Sequence, residues 1–362
     1  MTFQETYAEG LRDLVRLSHG AGCRADYVQG GGGNTSVKLD GTRMAVKASG
    51  FCLRDVDLAK AYAVLDYGAL RDFYLRRQPG EFDDVERAGA EQAKAATLAV
   101  EGLPSLRPSV EAGFHSILDR CVLHTHSVYA NLACCAKECG DIAREAFRDA
   151  GYAWGLVPYT DPGARLTFVI REELRRVEAE TGRAPSVILL QNHGILVHGP
   201  DVDTCLQIHA DANGRLAARF GLRGDDFPQV RIRETAPGCF VNDTPYLREA
   251  LAGGRYTESL LLERPLYPDQ LVFLTGSFSM GQGPAAAGQC VADPETGAVT
   301  MAMDAGRAQV MAETLTAVTY IIDHIRQAGY TLSTMDEAAQ SFIAGWESEA
   351  YRKSLAGREG TP

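Results

Sequence analysis

Ser109-Val-Glu-Ala-Gly-Phe-His-Ser-Ile-Leu-Asp-Arg-Cys-Val-Leu-His-Thr-His126 reads as a short helix running into a strand that ends in two histidines. On a strand, residues i and i+2 share a face, so His124 and His126 project together, as two ligands of one metal must. Downstream the pattern continues as a helix over 128–138, a strand at Tyr152–Tyr159, a helix over 163–181 and a strand Ser186–Gln191. A turn at Asn192-His193-Gly194, the strand Ile195–Gly199 and a helix from Asp201 complete it. Alternation of this kind predicts a layered α/β domain.

Upstream, Thr2-Phe-Gln-Glu5 has capping-box spacing, and Phe3, Tyr7, Leu11, Leu14 and Val15 recur at helical period, predicting an amphipathic first helix. A glycine run, Gly30–Gly33, leads into Asn34–Asp40 and Arg43–Ser49, two alternating segments around the turn signal Asp40-Gly41, which predicts a β-hairpin. Ala61–Asp66 reads as a strand, followed by two helices joined through the polar link 76–84. The segment 223–242, with Gly224, Pro228, Pro237 and Gly238, is expected to be a linker. Beyond it a helix is expected at 245–252, a strand at 269–276, a mobile loop at 276–289, a hairpin at 290–304 and helices at 306–328 and 335–356. The domain expectation is therefore 1–222 plus a C-terminal α+β lobe, 223–362.

The chain has 362 residues, ample for one large domain and an appended lobe. Lys+Arg number 36 against 47 Asp+Glu, a net charge of −11, which speaks against nucleic acid and anionic membrane as partners. No run of eighteen apolar residues occurs, and the N-terminus lacks the basic and apolar regions of a signal peptide, so the expected location is cytoplasmic. The nine cysteines are scattered, with no CxxC pair, and are expected as free thiols rather than a disulfide framework or zinc site.

Three histidines carry potential chemistry. His193 stands at the end of an apolar run that would deliver it to a sheet edge beside His124 and His126. Three imidazoles with an open position are a catalytic zinc ligand set. Glu111, expected on a helix whose N-cap is Ser109, suits general acid/base work beside such an ion. First-turn helix electrostatics would also account for a glutamate there. Gly30–Ser36 offers unhindered backbone N–H groups with Asn34 and Ser36 as extra donors, the makings of an anion cradle, and Lys47-Ala-Ser-Gly50 supplies a second small-residue turn and a cation. Neither is a Walker A or GxGxxG motif.

Taken in order, Gly31–Lys38, Lys47–Gly50, Arg107-Pro-Ser-Val-Glu111 with His124-Thr-His126, and Gln191–Gly194 resemble the zinc-dependent class II aldolase/adducin family over about residues 5–222. With Trp346–Arg352 added, the chain is similar to the aldolase portion of bacterial aldolase/short-chain dehydrogenase fusions, the dehydrogenase being absent. The resemblance implies a three-layer α/β/α class II aldolase-like domain. It implies Zn2+ on His124, His126 and His193, Glu111 as the catalytic carboxylate, and a substrate phosphate held by Gly33, Asn34, Ser49, Gly50 and Ser109. The family's second serine is Val110 here, and Tyr351 is a candidate for its aldehyde-side tyrosine. The implied reaction is retro-aldol cleavage of a ketose 1-phosphate to dihydroxyacetone phosphate and an aldehyde, by way of an enediolate. Within the same chemistry lie an epimerase, a dehydratase and a decarboxylase; a non-catalytic adducin-like scaffold would be expected to have lost the ligands and the acid. A homo-oligomer, a tetramer first, and pairing with a separate oxidoreductase are further expectations from the relatives.

Overall fold

In the computed structural model, which describes residues 1–345, seven strands form one sheet. They are β1 (Asn34–Lys38), β2 (Arg43–Lys47), β3 (Tyr62–Asp66), β4 (Cys121–Thr125), β5 (Ala153–Val157), β6 (Pro185–Leu190) and β7 (Gly194–Gly199). Their order is β3-β2-β1-β4-β7-β6-β5. The expected β1–β2 hairpin is present, its turn tied by Asp40 Oδ1, which accepts from the backbone N–H groups of Thr42 and Arg43. All neighbouring pairs run antiparallel except β5–β6.

Both faces of the sheet are covered, because its central strands place apolar residues on each side. Cys121 and Leu123 of β4, Val187 and Leu189 of β6, and Ile195 and Val197 of β7 pack on one side with the helices Ala8–Gly22, Val128–Cys134 and Val202–Ala218. Val122, Ile188, Leu190 and Leu196 point the other way, toward the helices Ala112–Ile117 and Ala164–Thr181. On that same side Met44, Val46, Ala63 and Leu65 meet the helices Tyr67–Arg76 and Val85–Ala96. The expected three-layer α/β/α arrangement is thus the observed one.

The C-terminal part builds a second sheet, β10-β11-β12-β9-β8, from β8 (Ile232–Ala236), β9 (Cys239–Asn242), β10 (Phe278–Met280), β11 (Cys290–Ala292) and β12 (Val299–Ala302). The long helix Ala305–Gln327 is buried along most of its length and packs against Val128–Cys134 and Pro268–Leu274. One hydrophobic cluster runs without interruption from Leu11 in the first layer to Ile325 in this helix.

Several sequence expectations are corrected here. The 223–242 segment is not a plain linker: Pro237 and Gly238, with φ +71° at Gly238, turn a hairpin between β8 and β9. Of residues 269–276, expected as a strand, 269–274 belong to the helix Pro268–Leu274. An apolar run this short does not reveal its period. Pro268 in its first turn needs no N–H partner, and Gln270 is buried with its side chain bonded to Leu261 O and Leu266 N, which favours helix. The 276–289 loop contributes β10, and the helix expected over 128–138 stops at Cys134, a second one running from Cys139 to Ala146. The first helix breaks at Tyr7, although its Thr2–Glu5 capping box is present. The last helix spans Glu337–Ala344 within the described residues; Trp346–Arg352, Tyr351 included, lies outside them. Among the described residues no helix is long and apolar enough to cross a membrane.

A buried histidine joins the layers. His209, on the Val202–Ala218 helix, meets Thr125 Oγ1 through Nε2 at 2.8 Å and lies edge-on to Tyr27. Burial, with smaller contributions from Arg24 and His124, pushes its pKa from 6.5 down to about 3. Between those values the unfolded state binds a proton that the folded state refuses, so stability falls as pH drops from 6.5 toward 3. The slope contributed by this one group approaches about 1.4 kcal/mol per pH unit. Urea unfolding at a series of pH values should show that His209→Asn flattens this acid-side slope; an unchanged slope would remove His209 as its source.

Candidate metal centre and its carboxylate

The sheet brings the three sequence-predicted histidines to one end. His124 is the penultimate residue of β4, His126 follows that strand by one residue, and His193 occupies the turn between β6 and β7. Register explains the convergence: β4 and β7 run antiparallel with Thr125 opposite Ile195, so the β6–β7 turn lies beside the end of β4. At that turn Asn192 adopts φ +52°, a left-handed conformation that asparagine tolerates. Its side-chain amide donates to Leu266 O and Ser333 O, both at 2.9 Å.

All three rings are buried, with centroids 4.9–5.0 Å apart pairwise. The Nε2 atoms of His124 and His126 face each other at 3.2 Å, and one nitrogen from each of the three histidines lies within 4.8 Å of the others. Outward-facing nitrogens set the tautomers. His124 Nδ1 donates to Ile195 O at 3.0 Å and His126 Nδ1 to Asp269 Oδ2 at 2.6 Å, which leaves both Nε2 lone pairs directed inward. Such a set of converging imidazoles, His124 and His126 each held from behind, fits a divalent ion that accepts nitrogen ligands.

Glu111 stands across the same space. Its Oε2 is 3.7 Å from His124 Nε2 and its Oε1 is 3.5 Å from His193 Nε2. The sequence expectation placed Glu111 inside a helix capped by Ser109; instead Glu111 is itself the N-cap residue of Ala112–Ile117. Ser109 Oγ accepts from the Glu111 backbone N–H, within a turn that aims the carboxylate at the histidines. Burial works to raise the Glu111 pKa, but His124, His193 and His126, when they carry a proton, together with the Asn34 amide hold it below its ordinary value.

Asn34, at the start of β1, has its amide turned toward the carboxylate. Nδ2 donates to Glu111 Oε2 at 2.6 Å and to Ser109 Oγ at 3.1 Å. Its Oδ1 is met by His115 Nε2, while His115 Nδ1 meets Ser36 Oγ at 2.7 Å. Burial keeps His115 neutral, its pKa well below the ordinary value. One imidazole nitrogen therefore donates to Asn34 and the other accepts from Ser36, which fixes which way the Asn34 amide points. His115 was not singled out in the sequence.

The remaining loop residues gather nearby. Gly33 has φ +67°, and a side chain there would meet the His124 carbonyl oxygen. Lys47 Nζ donates to the carbonyls of Gly31 and Gly33, stapling the glycine run to β2. Gly50 also has positive φ, and the buried Ser49 hydroxyl has no hydrogen-bond partner among the described residues. The loop's outer side is closed by the C-terminal part: a Cβ on Gly32 would fall on the Asp269 carboxylate, and one on Gly30 would strike Val310 and Phe273.

A model of the class II aldolase and adducin N-terminal domain matches residues 12–210. The chain belongs to the class II aldolase and adducin family. Among solved structures it is similar to the N-terminal class II aldolase domain of a conserved protein from Thermoplasma acidophilum. That match has 21% identity and a TM-score of 0.46, covering 56% of this chain and 90% of that one. It is also similar to a sugar-phosphate aldolase from Thermotoga maritima, with 14% identity and a TM-score of 0.41 over 59% of this chain and 96% of that one. The L-fuculose 1-phosphate aldolase from Glaciozyma antarctica PI12 matches at 14% identity and a TM-score of 0.38, over 60% and 76%. Comparison with curated proteins returns no match.

The family match contains all three histidines, Glu111, Asn34 and His115, whereas Leu266, Asp269 and Ser333 lie beyond it. Asp269 is separated from His126 by 143 residues, and no local motif marks it. Because Gly33 must hold a positive φ directly beneath His124, Gly33→Ala should destabilise the fold by about 1–3 kcal/mol. Chemical denaturation would measure this, and a variant as stable as the parent would show that the loop does not need the conformation.

Proposed function

We propose that this class II aldolase-family chain is a metal-dependent carbon–carbon lyase that cleaves a ketose 1-phosphate to dihydroxyacetone phosphate and an aldehyde. The observation that carries the reading is the placement of Glu111, whose two carboxylate oxygens lie 3.5 and 3.7 Å from imidazole nitrogens that converge with a third. A scaffold would have no use for this juxtaposition of ligands and base. His124, His126 and His193 would hold the ion, with Zn2+ the expected occupant. When bound, it supplies Lewis-acid polarisation of a ketone and stabilises negative charge on the cleaved substrate.

The protein's own groups account for the proton. Glu111 Oε2 is committed to Asn34, so Oε1, which accepts no hydrogen bond among the described residues, is the oxygen available to exchange a proton with substrate. A carboxyl held below its ordinary pKa starts as the charged base at neutral pH, as proton abstraction from a substrate hydroxyl requires. Asn34, fixed by His115, holds the carboxylate in that orientation. The turn at Ser49 and Gly50, with Gly33, Asn34 and Ser109, lines the place proposed for the phosphate. The orphan Ser49 hydroxyl is the clearest donor left to it. Binding a remote phosphate would align the reacting carbons with Glu111 without contacting them.

A second reading, an enediolate reaction on an unphosphorylated sugar or sugar acid, is favoured by Val110, which offers no hydroxyl. Cytoplasmic location and a homotetramer are proposed by analogy with the family. Metal analysis should find one divalent ion per chain, and His193→Ala should lose it. Glu111→Gln should keep the ion yet turn over about 10²–10⁴-fold more slowly. A panel of ketose 1-phosphates should include one that releases dihydroxyacetone phosphate; release from none, with the ion in place, would favour the second reading.

A further inference from the structure

The C-terminal part reaches the metal centre at two points. From the helix Pro268–Leu274, Asp269 accepts from His126 Nδ1 at 2.6 Å, and its side chain is fully buried. From the segments before and after, the carbonyls of Leu266 and Ser333 hold the Asn192 amide, and the Ser333 hydroxyl donates back to Asn192 Oδ1 at 2.9 Å. Asn192, in its left-handed conformation, immediately precedes His193. Two of the three ligand segments are therefore gripped by residues outside the family-matched domain, and the third, His124, is held by a β7 carbonyl within it.

The surroundings show that this contact is built. Gly32 has no side chain where one would collide with the Asp269 carboxylate, so the glycine run leaves the approach to His126 open. Tyr267, two residues before, is buried and donates to Gln29 Oε1 at 3.2 Å, anchoring the start of the helix to the residue that precedes the glycine run. Gln270 closes the other side with bonds to Leu261 O and Leu266 N. The carboxylate is thus carried on a segment fixed at three places, which removes the freedom it would otherwise have to turn away.

We propose that Asp269 is a positioning residue of the metal centre: it orients His126 and raises the basicity of its inward nitrogen, so that the C-terminal lobe is a structural component of the ligand set. This rests on the reading of His124, His126 and His193 as metal ligands. A carboxylate behind a ligating imidazole locks the ring and its tautomer and makes Nε2 a better donor, and removal of such partners costs about 10–100-fold in metal affinity.

The test measures zinc affinity by competition with a chromogenic chelator for the full chain and for Asp269→Asn and Asp269→Ala, with thermal midpoints of the metal-free proteins alongside. Leu261→Ala, which loosens the lobe at a fully buried site without touching the carboxylate, controls for general destabilisation. The expected order of affinity is parent, then Asp269→Asn, then Asp269→Ala, with the last weaker by about 10–100-fold. In the cobalt-substituted proteins, the visible absorption of both Asp269 variants should shift, while that of Leu261→Ala should match the parent. Parent-like affinity in Asp269→Ala would overturn the role of Asp269 while leaving the three-histidine reading intact. A loss in Leu261→Ala that matches Asp269→Ala at equal loss of thermal midpoint would overturn it equally. Failure of the parent to bind zinc at all would overturn both.

Discussion

Burying three imidazoles and a carboxylate against one another is the constraint on which the rest of this structure depends. Each ring brings two polar nitrogens out of water, and an unsatisfied buried polar group costs about 1–3 kcal/mol. For His124 and His126 the fold meets that cost with an acceptor behind the ring, a β7 carbonyl in one case and the Asp269 carboxylate in the other. The inward nitrogens are left facing one another and Glu111, a concentration of lone pairs and charge that only a cation relieves well. Chemistry and stability are consequently coupled: groups that would weaken an apolar core are the ones that converge on the site.

The sheet makes that convergence possible because its register is set by apolar residues on both faces. A slip of one residue in β4 would exchange Val122 for Leu123 and turn His124 to the wrong layer. The same two-sided burial aligns the β6–β7 turn with the end of β4, and it seats the Ala112–Ile117 helix so that its N-cap residue, Glu111, faces the histidines. Behind Glu111, the relay from Ser36 through His115 to Asn34 is a polar chain in which every step has a defined donor. Its value is orientation, since a carboxylate that wanders by an ångström is a poor proton acceptor.

The positions of the three histidines were legible because they are local in sequence, an HxH at a strand end and a histidine in a tight Asn-His-Gly turn, while the ligand role expected of them came from the family resemblance. The hairpin and the apolar alternation behind the three layers were legible for the same reason. The Ser109 and Glu111 assignment failed by two residues, because a helix start depends on where the chain can enter the layer and the local cap signal does not report that. The Pro268–Leu274 helix was misread as a strand because a short apolar run carries no period, and its Pro268 start competes with the strand-like composition that follows. Asp269, Asn192 and His115 carry roles that exist only through partners tens to hundreds of residues away.

What the sequence determined by itself, then, is the set of groups with chemistry and the elements that bear them, since strand period, turn residues and metal-ligand spacing act over a few residues. What only tertiary structure decided is direction: which nitrogen of His124 and His126 faces inward, which oxygen of Glu111 is bound by Asn34, and that a lobe beyond the family-matched domain stands behind His126. Direction depends on hydrogen-bond partners brought together by packing, and packing joins residues whose separation along the chain leaves no trace in local pattern.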